Sequence, residues 1–540
     1  MAERRSDLDA LRGFAMILGI VLHATAGFFS IPWPVHDTNF NSGLLLLYLW
    51  VHGFRMPMFF ILSGFFTQAV CEQKGLKKLI RQRMDRIAIP LVLCCVTILP
   101  LNAFVSRKAS QSHHREPVIE SIVRNEIQDL RTWIECGGNP DHKDAIFGRS
   151  LVAWASFAHN LPALEFLIQR NANIQATDRT GNSPLHYAVF VGNAEAFDVL
   201  LRHGSDLNAK NNAGSNALQA IRSSPFQASE LTTVLGLVEK RSVSDVKQGR
   251  QAIWKTIAES ENLLRSFHGS MEAGVLDELV AYYWSFRGSD RFTLHFGSYQ
   301  LHLFDTMIFD HLWFLVYLLW YLLVYAGLTA FGWVANHKTL WLAVFATFLG
   351  QMWMGPLGPS FGPDSEFGLL PAPHLWIYYA GFFFFGTALY KLTSAQRWLS
   401  TNWWWILPLS SIIVFPAALA TIPLRFLATL LQPLFAWGMA LGLMGAFEAL
   451  FKKPSPTMRW LADSSYWMYL AHIPVVILLQ SLVNSWPVSS WIKFSSVLLL
   501  TLFVLLISYD WLVRYSWVGR ILNGTKIRPR SPTEVLKASK

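Results

Sequence analysis

Residue types able to do chemistry stand where an apolar chain should exclude them. In LDALRGFAMILGIVLHATAGFF, residues 8–29, Arg12 and His23 interrupt a run long enough to cross a bilayer. An arginine near the centre of such a helix costs roughly 2.5–3.5 kcal/mol. The two lie eleven positions apart, a rise of about 16 Å and a rotation only about 20° past three turns, so both point the same way. In WVHGFRMPMFFILSGFF, His52 and Arg55 share a helix face, and Pro57 is expected to kink the span. RQRMDRIAIP sets Arg83 and Arg86 on one face beside the inner mouth of the bundle. FDHLWFLVYLLW places Asp310 and His311 at the outer end of a span. DSSYWMYLAHIP puts Tyr469 and His472 three apart, with Pro474 expected to break the helix behind them. Singly, each has a plain reading: His52 bridging two helices, Arg83 and Arg86 orienting the chain, Asp310, His311 and Tyr469 sitting at an interface. Together they do not. Several buried cations with few buried acids to pair them call for an anionic guest between the helices.

The elements that must carry these groups are membrane spans. The 540 residues are 52% hydrophobic and 14% aromatic, with 23 tryptophans, a composition that points to a polytopic membrane protein. Apolar runs at about 8–29, 43–70, 87–105, 306–330, 339–355, 374–390, 402–420, 424–450, 465–483 and 491–513 give about ten helices. The first lacks the leader and cleavage site of a signal peptide and reads as a retained helix. Lys74, Lys77, Lys78, Arg81, Arg83 and Arg86, the 451–460 loop and the basic tail 514–540 mark one side. The loops 30–42, 355–373 and 484–490 hold no lysine or arginine. By the positive-inside rule both termini are cytoplasmic. The net charge of +10 is thereby explained without nucleic acid. Four cysteines are too few for a disulfide framework. No cysteine–histidine spacing calls for a metal, and GPLGPSFGP at 355–363 reads as an outer loop, not a phosphate cradle.

Between the third and fourth runs the composition turns polar. GRSLVAWASFAHNLPALEFLIQRNANIQA, from Gly148, aligns without gaps on GNSPLHYAVFVGNAEAFDVLLRHGSDLNA, from Gly181, and GSNALQAI begins again at Gly214. This period of 33 resembles the ankyrin repeat, and LRTWIECGGNPD looks like the back half of a leading copy. Three to four units must stack, because one cannot bury its apolar face alone. The reading is an all-α polytopic bundle with an inserted repeat domain. Residues 1–105 and 301–513 form the membrane domain, 106–300 a periplasmic insert with repeats at about 120–225, and 514–540 a cytoplasmic tail. Residues 240–300 are expected to form an amphipathic helix returning to the membrane.

The membrane motifs carry a resemblance. Arginine, ten residues, then histidine in the first span, with Arg83-x-x-Arg86 before the third, is similar to the signature of the type-3 membrane acyltransferases. LDALRGFAMILGIVLH, HGFRMPMFFILSGFF, RMDRIAIP, DHLWFL and SSYWMYLAH resemble its glucan-modifying branch, which includes the succinyltransferase of osmoregulated periplasmic glucans. The likeness covers residues 7–105 and 305–513; the repeat insert departs from it. The resemblance implies a bacterial inner-membrane enzyme moving succinyl or acetyl from cytoplasmic acyl-coenzyme A to a hydroxyl of an extracytoplasmic glycan, with no metal. It implies donor binding by Arg12, Arg83, Arg86 and His52, catalysis by His23, Arg55, His311 and Asp310, and acceptor contacts from Tyr469 and His472. An imidazole can take the hydroxyl proton and return it to the thiolate, while a fixed cation such as Arg55 stabilises charge on the thioester oxygen. Direct transfer and an acyl-histidine route both fit.

Two other classes compete. A transporter or flippase for an anionic lipid or glycan would use the same arginines, but should show related halves, and the membrane segments show none. An ankyrin scaffold would need one anchoring span rather than about ten. The insert carries no constellation for acyl transfer, since His186 falls where the repeat motif braces its own turn. Its expected role is to recognise the acceptor or a periplasmic partner protein. Oligomeric state is not legible.

Overall fold

The computed structural model describes residues 5–524, apart from single positions, short stretches such as 113–115, 356–360 and 365–367, and most of 223–241 and 261–289. The tail beyond 524, part of the expected basic segment, lies outside the described residues.

The first helix, α1 (Ser6–Thr25), opens with Asp7 and Asp9 in its first turn, where free backbone N–H groups favour negative charge. It closes through a 3-10 turn, Ala26–Phe28. A loop leads to α2 (Ser42–Lys74), capped by the Asn41 side chain and stopped at Gly75, whose φ is 80°. Next come α3 (Leu76–Arg83), a π-helical turn over Met84–Ala88, and α4 (Ile89–Val96). After a 41° bend α5 (Ile98–Ser112) follows.

The insert builds three helix pairs: α6 (Pro117–Val123) with α7 (Ile127–Glu135), α8 (Leu151–Phe157) with α9 (Leu161–Gln169), and α10 (Pro184–Val191) with α11 (Ala194–Arg202). LRTWIECGGNPD begins in α7, the back helix of the leading unit, as expected; α6 is its front helix, illegible because PVIESIV lacks the SPLHYA pattern. A 3-10 turn, Ala217–Arg222, follows the third pair. Where a helix returning to the membrane was expected over 240–300, α12 (Val243–Glu259) instead packs on the stack. Gly249 and Gly192 meet so closely that a Cβ on Gly249 would lie 1.8 Å from the Gly192 carbonyl oxygen. A two-stranded antiparallel hairpin follows, β1 (Thr293–Phe296) paired with β2 (Tyr299–His302).

The chain re-enters the bundle at α13 (Trp313–Ala330), then α14 (His337–Met352), α15 (Pro373–Lys391) and α16 (Thr393–Pro408). A second π-helical turn, Leu409–Val414, joins α16 to α17 (Phe415–Ala420). The rest is α18 (Arg425–Leu450), α19 (Pro456–Val483), α20 (Ser490–Ser508) and the short α21 (Trp517–Asn523). Among the described residues seven helices are long and apolar enough to cross a membrane, and the bent α3–α5 unit makes an eighth. The two other expected spans exist as helices but fall short. At 16 residues α14 is about 24 Å long, less than a hydrocarbon core of about 30 Å. The aromatic-rich α15 is held inside the bundle, with Tyr378, Tyr379 and Phe382 buried.

Packing brings the site-bearing helices together. At the crossing of α2 and α15, a Cβ on Gly64 would sit 1.8 Å from the Phe383 carbonyl oxygen, and one on Gly386 would sit 2.0 Å from that of Ile61. Paired small residues let the two backbones touch, the usual device of helix association in lipid. Leu461 of α19 fills the notch at Gly13 of α1 in the same way. The bundle exterior carries Trp341, Leu342, Phe345, Leu499 and Phe503 exposed, an apolar girdle suited to lipid.

The repeat stack rests on the loop between α1 and α2. Ser30 donates to the Ile146 carbonyl at 2.5 Å, His36 meets Phe147 edge-on at 5.1 Å, and the Arg179 guanidinium lies 4.2 Å from the centre of the Phe40 ring. A buried ion pair between Asp37 and Lys493 (2.6 Å) ties that loop to the start of α20.

Candidate active site

Both prolines expected to bend or break spans lie inside continuous helices, α2 and α19. What they do is free a carbonyl, because a proline cannot donate to the residue four before it. Pro474 leaves the Leu470 carbonyl of α19 open, and His311 donates to it through Nε2 at 3.1 Å. Pro90 likewise cannot bond back to Arg86, and the Tyr466 hydroxyl takes that carbonyl at 2.6 Å. Proline here positions side chains from neighbouring helices.

These helices enclose a cavity of about 1420 Å³, and all ten residues singled out from the sequence line it. They fall into two groups. At the end of the bundle nearer the termini, Arg12, Arg83 and Arg86 converge closely enough to repel one another. Arg12 donates to the Ala462 carbonyl at 2.5 Å, and Arg83 reaches the Thr67 hydroxyl at 3.3 Å. A π-helical turn over Met84–Ala88, a distortion frequent at functional sites, carries Arg86 and separates Arg83 from α4. A second, smaller hollow of about 520 Å³, lined by Lys74, Lys78, Arg81 and Arg520, shares Arg86 with the main cavity.

Deeper in, the histidines cluster. The His23 ring lies 5.1 Å from that of His472, and His472 lies 5.5 Å from His311. Each hydrogen bond to a carbonyl fixes a tautomer, since a carbonyl can only accept. His472 donates through Nδ1 to the Tyr469 carbonyl at 2.9 Å, so Nε2 holds its lone pair, buried and without a partner among the described residues. His311 donates through Nε2, which leaves Nδ1 3.7 Å from a carboxylate oxygen of Asp310. That carboxylate also accepts from Asn102, and Asp310 itself sits in the left-handed region at φ 44°. Strain of this kind costs of order 1–3 kcal/mol and gathers at functional sites. The Tyr469 hydroxyl donates to the His311 carbonyl at 2.7 Å, locking α19 to the start of α13.

Arg55 reaches this cluster from α2. Its Nη1 lies where a Cβ on Gly19 would come within 2.7 Å, one helical turn before His23 on the same face of α1. Its Nε is buried with no hydrogen-bond partner among the described residues. A bare guanidinium one turn from an imidazole is an anion-stabilising pair.

His52 departs from the role expected for it. It was grouped with the donor cations, yet Thr67, which Arg83 touches, is fifteen residues further along α2, a rise of about 22 Å. His52 instead stacks on Tyr48 at 5.5 Å and bonds the Pro363 carbonyl at 3.1 Å, away from the arginine cluster. Sequence reasoning also passed over Asn102, Tyr466 and the pair Trp33–Gln480. Trp33 stacks on His23 (5.6 Å, 19° between planes) and donates to Gln480 at 2.7 Å. Gln480 in turn donates to the carbonyls of His23 and Ala24, each at 3.2 Å. Among the described residues no group of three or more His, Cys, Asp or Glu is arranged to hold a metal ion.

Comparison with known proteins agrees with a site for group transfer. A family described as an acyltransferase domain matches residues 5–111 and 264–510, the two stretches that supply most of the cavity lining. The chain belongs to this acyltransferase family. A second match, to ankyrin repeats in three copies, covers residues 119–211. Glucans biosynthesis protein C of Shigella dysenteriae is 35% identical over 104 residues, and that of Escherichia coli K12 is 34% identical over the same length. The aligned stretch is 19% of this chain and 27% of each relative, so the chain spans about a quarter of the relatives it matches. The chain thus joins an acyltransferase-family domain with candidate membrane spans to ankyrin repeats.

Proposed function

We propose that the enzyme moves an acyl group from acyl-coenzyme A, bound from the cytoplasm, to a hydroxyl of a glycan on the far side of a bacterial inner membrane. The observation that carries this reading is one cavity with a cation cluster at one end and a histidine cluster further in. Arg12, Arg83 and Arg86 would hold the donor's phosphates, which need fixed cations. The thioester would reach the level of His23, eleven residues and about 16 Å along α1. His23 takes the proton from the acceptor hydroxyl as its oxygen bonds to the carbonyl carbon. The C–S bond then breaks, and the proton returns to the thiolate. Arg55 neutralises charge on the carbonyl oxygen at the tetrahedral stage. His472, with an uncommitted lone pair on Nε2, and His311, backed by Asp310, would relay or stabilise the proton. The name borne by the relatives, glucans biosynthesis protein, supports a glucan acceptor, and the resemblance of the membrane motifs favours succinyl or acetyl as the group carried. The basic loops and termini on one side support cytoplasmic ends and a periplasmic insert. Purified protein incubated with labelled acyl-coenzyme A and a panel of glycans tests the reading. Label on a glycan with release of free coenzyme A thiol is the expected result; no donor turnover with any acceptor would remove it.

A further inference from the structure

The repeat insert turns its own binding surface inward. In stacked repeats the hairpin tips and inner helices form the concave recognition face. Here the tip residues Ile146, Phe147 and Arg179 contact the loop between α1 and α2, at Ser30, His36 and Phe40. The inner helix α10 contributes Phe190 to the lining of the membrane cavity itself. Its place is fixed from behind, because Arg250 of α12 donates to the Phe190 carbonyl at 2.5 Å through Nη2 and at 3.2 Å through Nε. On the membrane side the same cavity is lined by Trp33, held edge-on by Gln480 and stacked on His23. Asn102 lines the same cavity, 6% exposed, with its Nδ2 on Asp310 and its Oδ1 buried with no partner among the described residues.

We propose that Phe190 of the repeat and Trp33 of the membrane domain are the aromatic walls of one acceptor subsite, which takes a pyranose ring of the glycan while Asn102 accepts from one of its hydroxyls. Aromatic faces pack against the C–H faces of a sugar, and an unfilled amide oxygen supplies a polar contact that an apolar plug would not need. The rigid rings cost little entropy to order. The insert is thus a wall of the enzyme's own site rather than a recruiter of other proteins. This rests on the glycan-acceptor reading above and adds the residues that would seat the ring.

The test is direct binding, which does not depend on turnover. Full-length protein in nanodiscs is titrated calorimetrically with linear neutral gluco-oligosaccharides, α- and β-linked, and with mannitol as a polyol lacking a ring. Wild type should bind at least one oligosaccharide and not mannitol. Phe190→Ala should weaken that binding roughly three- to tenfold, the scale of one aromatic stack. Phe190→Tyr, which keeps the ring, should restore it and separate loss of the wall from loss of the fold. Trp33→Leu should weaken binding similarly. Equal affinity in Phe190→Ala, equal weakening in Phe190→Tyr, or no sugar binding by wild type would each overturn the subsite. Release of coenzyme A thiol from the donor by the same wild-type preparation reports on the acyltransferase reading separately.

Discussion

His186 and Arg250 of the repeat stack and His472, His311 and the Arg55 Nε of the bundle are all buried, and they bond differently. In the repeat, His186 uses both ring nitrogens: Nδ1 accepts from Ser183 N–H at 3.2 Å, and Nε2 donates to the Ser215 carbonyl at 3.1 Å. Arg250 gives its guanidinium to the carbonyls of Phe190 and Ile221. In the bundle, His472 and His311 each spend one nitrogen on a carbonyl and leave the other uncommitted, and the Nε of Arg55 is bare. A buried polar atom without a partner costs about 1–3 kcal/mol, so its persistence marks a place where a ligand completes the bonding. Saturated polar groups hold a fold. Unsaturated ones, gathered around a cavity, belong to chemistry.

Substitutions should break this contrast cleanly, with effects that shrink from bundle to repeat. His23→Ala should lower acyl transfer by about 10²–10⁴-fold, the range of a lost general base, with little loss of folding stability. Wild-type kcat in that variant, measured with labelled donor, would take His23 out of the mechanism. Arg83→Glu with Arg86→Glu should raise the donor KM by one to two orders of magnitude and leave the remaining donor affinity less sensitive to salt, because a phosphate contact has gone. An unchanged donor KM would return the pair to the role of orienting charges.

The smallest effect belongs to the repeat. His186→Leu strands two backbone groups and should destabilise the insert by about 1–3 kcal/mol. Burial, only partly offset by the bond to the Ser215 carbonyl and by Asp178, holds the His186 pKa below its ordinary 6.5. The unfolded chain therefore binds the proton more readily. Stability from His186 is complete above about pH 6.5 and is lost as the pH falls toward the lower folded value. Limited proteolysis of the insert should accelerate below that pH in wild type, and His186→Leu should flatten the dependence. Equal pH dependence in both would deny His186 its bracing role.

Much of the bundle was legible because lipid makes polar residues conspicuous. Arg12, His23, Arg55, Arg83, Arg86, Asp310, His311, Tyr469 and His472 stood out against apolar runs, and they share one cavity with His52. The place of His52 was not legible: rotation about α2 can be read from spacing, but depth relative to Arg83 depends on which loop packs against it. Asn102 did leave a signal, one amide in the run ILPLNAFVS. Trp33, one of 23 tryptophans, left none. Ten spans were counted where seven or eight helices among the described residues are long and apolar enough, because an apolar run marks a helix without fixing its length: α14 has only 16 residues. In the repeat, the period of 33 revealed two copies, whereas α6 diverged in sequence while keeping its shape.

The central claim is transfer through the bundle, from a donor held by Arg12, Arg83 and Arg86 to an acceptor at the repeat end. Proteoliposomes of defined protein orientation test it most directly. Labelled acyl-coenzyme A is supplied only on the face bearing the termini, and a glycan acceptor only on the face bearing the repeats. The account predicts label on the glycan in this arrangement and none when the two substrates exchange sides. Transfer only when donor and acceptor share one face would contradict it.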